Sequence, residues 1–188
     1  RFQFSEAEND MLRGMLAGIK QRLPGKAERR VAILNRSVNL TDLKALNTFG
    51  DWVALGCSTI AMWGGRSDDG HPVIARNFDF RSFRALLEHA HVAISAPYRD
   101  PDGETMRGHV TIGHPGCIGS ISGMNEEGVW ASIHDVYKQP GMKHAMRPNV
   151  PRLCAQRRLL EELSSGLVCT EAERRLQEWP TLFGNNFM

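Results

Sequence analysis

The sequence predicts an α+β fold, with helices toward both ends of the chain and a run of short strands between them. Three observations carry this. Apolar residues recur at helical spacing ahead of residue 50 and again beyond residue 150. Between residues 58 and 136 they fall in short blocks separated by Gly, Pro, Asn and Asp. The strands are grouped together and do not alternate with helices, which argues against a parallel βαβ sheet.

The elements follow in order. Ser5 and Glu8 have capping-box spacing, and Leu12, Met15, Ile19 and Leu23 continue one helical face until Leu23-Pro24-Gly25 ends it. Thr41 is the expected cap of a second helix carrying Leu43, Leu46 and Phe49, closed by Gly50. Residues 58–63 and 72–80 read as two strands joined by a polar Gly/Asp loop, a hairpin with Cys57 at its mouth. Residues 91–96 and 106–113 flank the turn Asp100-Pro101-Asp102-Gly103. Residues 118–124 and 129–136 flank Asn125-Glu126-Glu127-Gly128 and predict another hairpin. Past Pro151, Leu153, Leu159, Leu160 and Leu163 form an apolar helical stripe. Thr170 and Glu173 then predict a second capping box, ahead of Leu176 and Trp179.

Composition narrows the function classes. The chain has 188 residues, enough for one domain or part of a larger one. Its 23 basic and 21 acidic side chains leave a net charge of +2, too balanced for a nucleic-acid surface. Arg29-Arg30, Arg157-Arg158 and Arg174-Arg175 read as solvated helix faces. No apolar run suggests an integral membrane segment, and no signal peptide is visible in the polar, acidic stretch from Arg1 to Asp10. The four cysteines lack C-x-x-C spacing and leave the compartment open. The chain starts at Arg1 and stops in a strand-like Leu-Phe-Gly-Asn-Asn-Phe-Met, as expected of a trimmed piece.

Cys57 is the residue with the most chemical content. A cysteine at a strand edge is ordinarily a small buried hydrophobe. Here Gly56 lets a thiol approach the preceding carbonyl closely, and hydroxyl residues follow where a core cysteine would have apolar neighbours. The strand Ala75-Arg76-Asn77-Phe78-Asp79-Phe80 sets Arg, Asn and Asp between aromatic residues, opposite Cys57. A surface salt bridge would explain such a strand; a site explains it better beside Cys57.

Other candidates are weaker. Gly119-Ser120-Ile121-Ser122-Gly123 has Ile121 where a nucleophile elbow needs serine. His89 and His91 share a predicted strand face but have no third ligand at convincing metal spacing. Cys117, Cys154 and Cys169 read as buried fillers, and Trp52, Trp63, Trp130 and Trp179 as core or pocket walls.

Three stretches together carry a family resemblance: Gly56-Cys57-Ser58-Thr59-Ile60-Ala61-Met62-Trp63-Gly64, then Asp69 through Phe80, then Asn125-Glu126-Glu127-Gly128-Val129. In this order they resemble the cysteine N-terminal nucleophile (Ntn) hydrolases. The nearest likeness is to the acyl-coenzyme A:6-aminopenicillanic acid acyltransferase-like proteins (peptidase family C45); bile salt hydrolases and acid ceramidase-like amidases are more distant. The resemblance implies an αββα sandwich, a helical pro-segment over residues 1–56, and the first part of a catalytic domain over residues 57–188. It implies cleavage of the Gly56–Cys57 bond, Cys57 as nucleophile, Arg76 near its thiolate, and Asp79 holding the liberated α-amino group. Asn77, Asn125, His134 and Asp135 become candidate substrate or oxyanion contacts. His134-Asp135 stands where relatives often place an Asn, and a further Asn and Arg are expected beyond Met188.

The chemistry implied is cleavage of a linear, non-peptide amide, or acyl transfer from an amide or acyl-thioester, through a Cys57 thioester. It calls for no metal or organic cofactor. Two other classes stay open: a non-catalytic binding or assembly module with Cys57 buried, and an unprocessed thiol enzyme with His134 as base and Asp135 as orienter. The acyl group, the leaving amine and the oligomeric state are open as well.

Overall fold

The computed structural model describes residues 2–52, 56–79, 84–135, 147–166, 168–181 and 185–187. Helix α1, Glu6–Arg22, begins at the expected cap: Ser5 Oγ accepts from Glu8 N, and Glu8 Oε2 accepts from Ser5 N. Arg30–Val31 (β1) and Arg36–Ser37 (β2) form a small antiparallel pair. Helix α2 covers Leu40–Asn47. Its cap is Asn39, not Thr41: Asn39 Oδ1 accepts from Thr41 N and Asp42 N, and Asp42 Oδ2 accepts from Asn39 N. Asn caps as well as Thr does, so residue type alone could not choose between them. Phe49–Asp51 then continues as a 3₁₀ turn through the expected stop.

The predicted hairpin is present. Gly56–Met62 (β3) and Val73–Asp79 (β4) pair antiparallel, with Gly56 opposite Asp79, Cys57 opposite Phe78 and Thr59 opposite Arg76. Arg84–His89 forms a short helix, α3. His91–Ser95 (β5) follows, so His89 ends a helix while His91 starts a strand, and the two do not share a strand face. The Asp100–Gly103 turn sits in a small hairpin of Tyr98–Arg99 (β6) and Thr105–Met106 (β7), with Gly103 at φ +86°. His109–Gly113 (β8), Ser122–Asn125 (β9) and Trp130–Asp135 (β10) follow. The strand expected from residue 118 starts only at Ser122.

Arg152–Glu162 (α4) and Val168–Glu178 (α5) form the C-terminal helices. Thr170 lies inside α5, so the second capping box is not formed there. Asn185–Phe187 (β11) completes an antiparallel five-stranded sheet in the order β11-β10-β9-β8-β5. Among the described residues the fold is mixed helix and antiparallel sheet, consistent with α+β. No helix among them is long and apolar enough to cross a membrane.

Helix α4 lies on one face of this sheet. Gly123 allows the contact: a Cβ there would meet Leu160 Cδ1 at 2.6 Å and Val110 O at 2.7 Å. Gln156 Nε2 donates to Ala131 O from the helix, and Leu159, Leu160 and Leu163 are buried. On its other side α4 carries the N-terminal helices, through a core of Leu12, Leu43, Ile118, Val150, Cys154 and Ala155. Polar contacts reinforce it. Arg158 makes a two-pronged ion pair with Glu8, and Arg157 pairs with Glu161 and donates to Ile118 O. This adjacent pair is therefore packed into the protein, not a solvated face. Asn47 is buried, donating to Gly116 O and accepting from Ile118 N.

Candidate active site

The hairpin's two-residue period sorts the site residues onto two faces. Cys57, Thr59, Arg76 and Phe78 share one face and are all half-buried. Ser58, Asn77 and Asp79 share the other, which is exposed. The half-buried face meets β9 and β10 of the large sheet.

Arg76 makes that junction. Its Nη2 donates to Cys57 Sγ at 2.9 Å and to Ile133 O at 2.5 Å, and its Nη1 donates to Ser122 Oγ at 2.7 Å. The guanidinium also lies 5.2 Å from the Phe78 ring centroid. Among the described residues no carboxylate forms a salt bridge with Arg76. Burial lowers its pKa, and the neighbouring Cys57 sulfur acts in the opposite sense. A half-buried cation aimed at a sulfur favours the thiolate form of that sulfur.

His134 faces the same junction from β10. Its Nε2 shares hydrogen bonds with Thr59 Oγ1 at 2.9 Å and Ser132 Oγ at 3.2 Å. Burial lowers its pKa first, the Arg76 charge lowers it further, and a hydrogen bond with the Cys57 backbone opposes both. The side chain of Asp135 lies outside the described residues, although its backbone pairs with Asn185 in β11.

On the exposed face, Asn77 Nδ2 donates to Asp79 Oδ1 at 2.6 Å. Asp79 sits directly across from Gly56: a Cβ on Gly56 would be 3.1 Å from Asp79 Cβ and 3.8 Å from Asp79 Oδ2. The carboxylate is thus beside the Gly56–Cys57 peptide, on the side away from the sulfur.

Asn125 has a different job from the contact role expected of it. It is buried; its Nδ2 donates to Leu160 O and Leu163 O, and its Oδ1 accepts from Glu127 N and Val129 N. All of these are backbone contacts that tie the β9–β10 turn to the end of α4. The other cysteines divide. Cys154 is buried, with its thiol pushed well up by that burial; Cys117 is half-buried; and Cys169 is exposed, so it is no core filler. Trp52 and Trp63 are also exposed, at 69% and 66%, and so form no core wall.

Sequence reasoning missed Ser122, Ser132 and Thr59. Ser122 and Ser132 stand directly opposite one another in the β9–β10 register, so their hydroxyls share one face.

The family model for acyl-coenzyme A:6-aminopenicillanic acid acyl-transferase matches residues 65–188. The chain belongs to this family. Membership places it, at the coarse level, among acyltransferases and hydrolases of the Ntn type. The acyl-transferase match includes Arg76, Asp79 and His134 and begins after Cys57. Among curated proteins no match is found.

Proposed function

We propose that the chain is a self-processing cysteine amidohydrolase or acyltransferase acting on a linear, non-peptide amide, with Cys57 as its nucleophile. The observation that carries this is the Arg76 Nη2 to Cys57 Sγ hydrogen bond of 2.9 Å, made by a half-buried cation with no carboxylate partner among the described residues. An inert core cysteine gains nothing from such a neighbour; a thiolate nucleophile does.

In processing, Cys57 Sγ attacks the Gly56 carbonyl carbon. The S–C bond forms as the C–N bond breaks, and the nitrogen takes a proton to become the α-amine. Water then hydrolyses the thioester, leaving a carboxylate on Gly56 and a free thiol on Cys57. A thiol pKa of about 8.5 and an α-amine pKa of about 8 let the amine act as base for its own thiol. In turnover, the sulfur attacks the substrate carbonyl, the leaving amine departs with a proton, and the thioester passes its acyl group to water, an amine or a thiol.

Asp79, held by Asn77 beside Gly56, is the group to bind the new α-amine. Arg76 stabilises the thiolate, and Ser122 holds Arg76. His134 supplies hydrogen bonding near the developing oxyanion, with Asp135 its neighbour on the strand. In this reading residues 1–56 are the pro-segment, residues 57–188 begin the catalytic domain, and the β3–β4 hairpin starts the front sheet of an αββα sandwich.

The test is intact mass under denaturing conditions, with N-terminal sequencing, after incubation at pH 7 to 8. A new N-terminus at Cys57, lost in Cys57→Ala, is the expected result; normal processing of Cys57→Ala would sink the proposal. Activity in an uncleaved chain that vanishes in His134→Ala would instead favour the unprocessed thiol enzyme. Against that alternative, the His134 Nε2 is already engaged by two hydroxyls.

A further inference from the structure

A second concavity lies away from Cys57, at the seam between the N-terminal helices and the C-terminal ones. It measures about 780 Å³, within the size range of small-molecule sites. Phe2, Phe4 and Trp179 line it, together with Lys44 and Thr48. All three rings are half-buried.

The charges in this groove are unequal. Arg158 is neutralised by the two oxygens of Glu8, and its guanidinium lies over the Trp179 ring. Glu178 is held by Arg174 and Arg175 on its own helix. Lys44 is half-buried, sits 5.6 Å over the Phe4 ring, and among the described residues makes no ion pair. The groove therefore offers one uncompensated cation beside aromatic surface.

We propose that this groove binds a small amphipathic monoanion, a carboxylate carrying an alkyl or aryl group. The carboxylate meets Lys44, and the apolar portion packs against Phe4 and Trp179. A charge-assisted hydrogen bond at a partly desolvated lysine sets the preference for the acid over a neutral molecule of the same shape. The site is independent of the reading of Cys57 and stands or falls without it.

The probes are octanoate and octanamide, titrated into the full chain carrying Cys57→Ala, so that the amide cannot be turned over, and followed by tryptophan fluorescence and thermal shift. Octanoate is expected to bind about tenfold more tightly than octanamide. Lys44→Gln should bring octanoate down to the affinity of the amide, and Lys44→Arg should restore most of the preference. Arg76→Gln, at the other site, should leave octanoate binding unchanged. Equal binding of acid and amide, or unaltered octanoate binding by a folded Lys44→Gln variant, would overturn the proposal. So would a concentration-dependent dimer weakened by Lys44→Gln, which would assign the groove to a second copy of the chain.

Discussion

Arg76 has its terminal nitrogens on a sulfur, a serine hydroxyl and a backbone carbonyl, and the two side-chain contacts can be removed separately. Arg76→Gln keeps a polar side chain and deletes the charge. The pH profile of Cys57 alkylation by iodoacetamide should then move to higher pH, because the thiolate loses its cation. Ser122→Ala leaves the charge but frees one prong of the fork. A milder effect is expected, a slowing of Cys57 chemistry of about tenfold, corresponding to about 1.4 kcal/mol. His134 supplies a pH signature of its own. Its folded pKa lies below the ordinary value, so the unfolded chain binds the proton more readily. The resulting stability is complete above about pH 6.5 and is lost as pH falls through the depressed folded value. His114, lowered first by burial and then by His91, adds a slope of the same sign. Chemical denaturation at several pH values should show a shallower acid limb for His134→Gln. The hairpin that sets Arg76 and Asp79 across from the Gly56–Thr59 strand was legible in the sequence, because charged groups in a strand between aromatics demand partners. The hydroxyls around them were not, since Ser122 lies 46 residues from the arginine it holds and serine in a strand is unremarkable by itself.

Helices and turns were legible wherever the signal was local. The Ser5 box, the stop at Leu23 and the Asn125–Gly128 turn all depend on residues within a few positions of one another. Caps were harder: Asn39 and Thr41 are both good candidates, and the choice falls to the residue whose backbone is extended at the helix entry. The arginine pair in α4 misled because its partners, Glu8 and Ile118, are distant in sequence. Glycines separate local from tertiary demands most sharply. A Cβ added at Gly14, in the middle of α1, would have nothing within 4 Å of it, so Gly14→Ala should stabilise the protein by about 0.5–1 kcal/mol in urea denaturation. At Gly119 the same carbon would sit 2.5 Å from Leu153 Cβ and 2.6 Å from its carbonyl carbon. Gly119→Ala should therefore cost about 1–3 kcal/mol, by forcing the loop before β9 away from Leu153 in α4. Tyr98 reports on another long-range link. Its hydroxyl donates to Glu161 in α4, and burial first, then Glu161, pushes its pKa up to about 12. Ultraviolet titration should show this tyrosine ionising late, with stability falling between about pH 10 and 12 as the unfolded state ionises first. Tyr98→Phe should remove that alkaline loss.

At the scale of the molecule, the N-terminal segment is not an appendage. Leu12 and Leu43 are in the same buried cluster as Cys154 and Ala155, and Asp51 accepts from the first backbone N–H of α4. If the Gly56–Cys57 bond is cut, the two pieces should stay together through gel filtration in native buffer and part only in denaturant. Co-elution of both pieces, each seen by mass spectrometry, is the expected outcome. Grouped strands between helices were enough to read the α+β class from the sequence. The way α4 is held between sheet and N-terminal helices was not readable, because its contacts to the N-terminal helices join residues more than a hundred apart.

The alternation of the β3–β4 hairpin makes it a partition. Sulfur and guanidinium lie on its sheltered side, and the Asp79 carboxylate lies on the side open to water. A proton moving between these compartments has no side chain to carry it through the hairpin, because each side chain belongs wholly to one face. The peptide joining residues 56 and 57 spans the boundary, so a free amine created there would be a doorway in an otherwise closed wall. On this view, cutting that bond would change the protein's internal proton traffic.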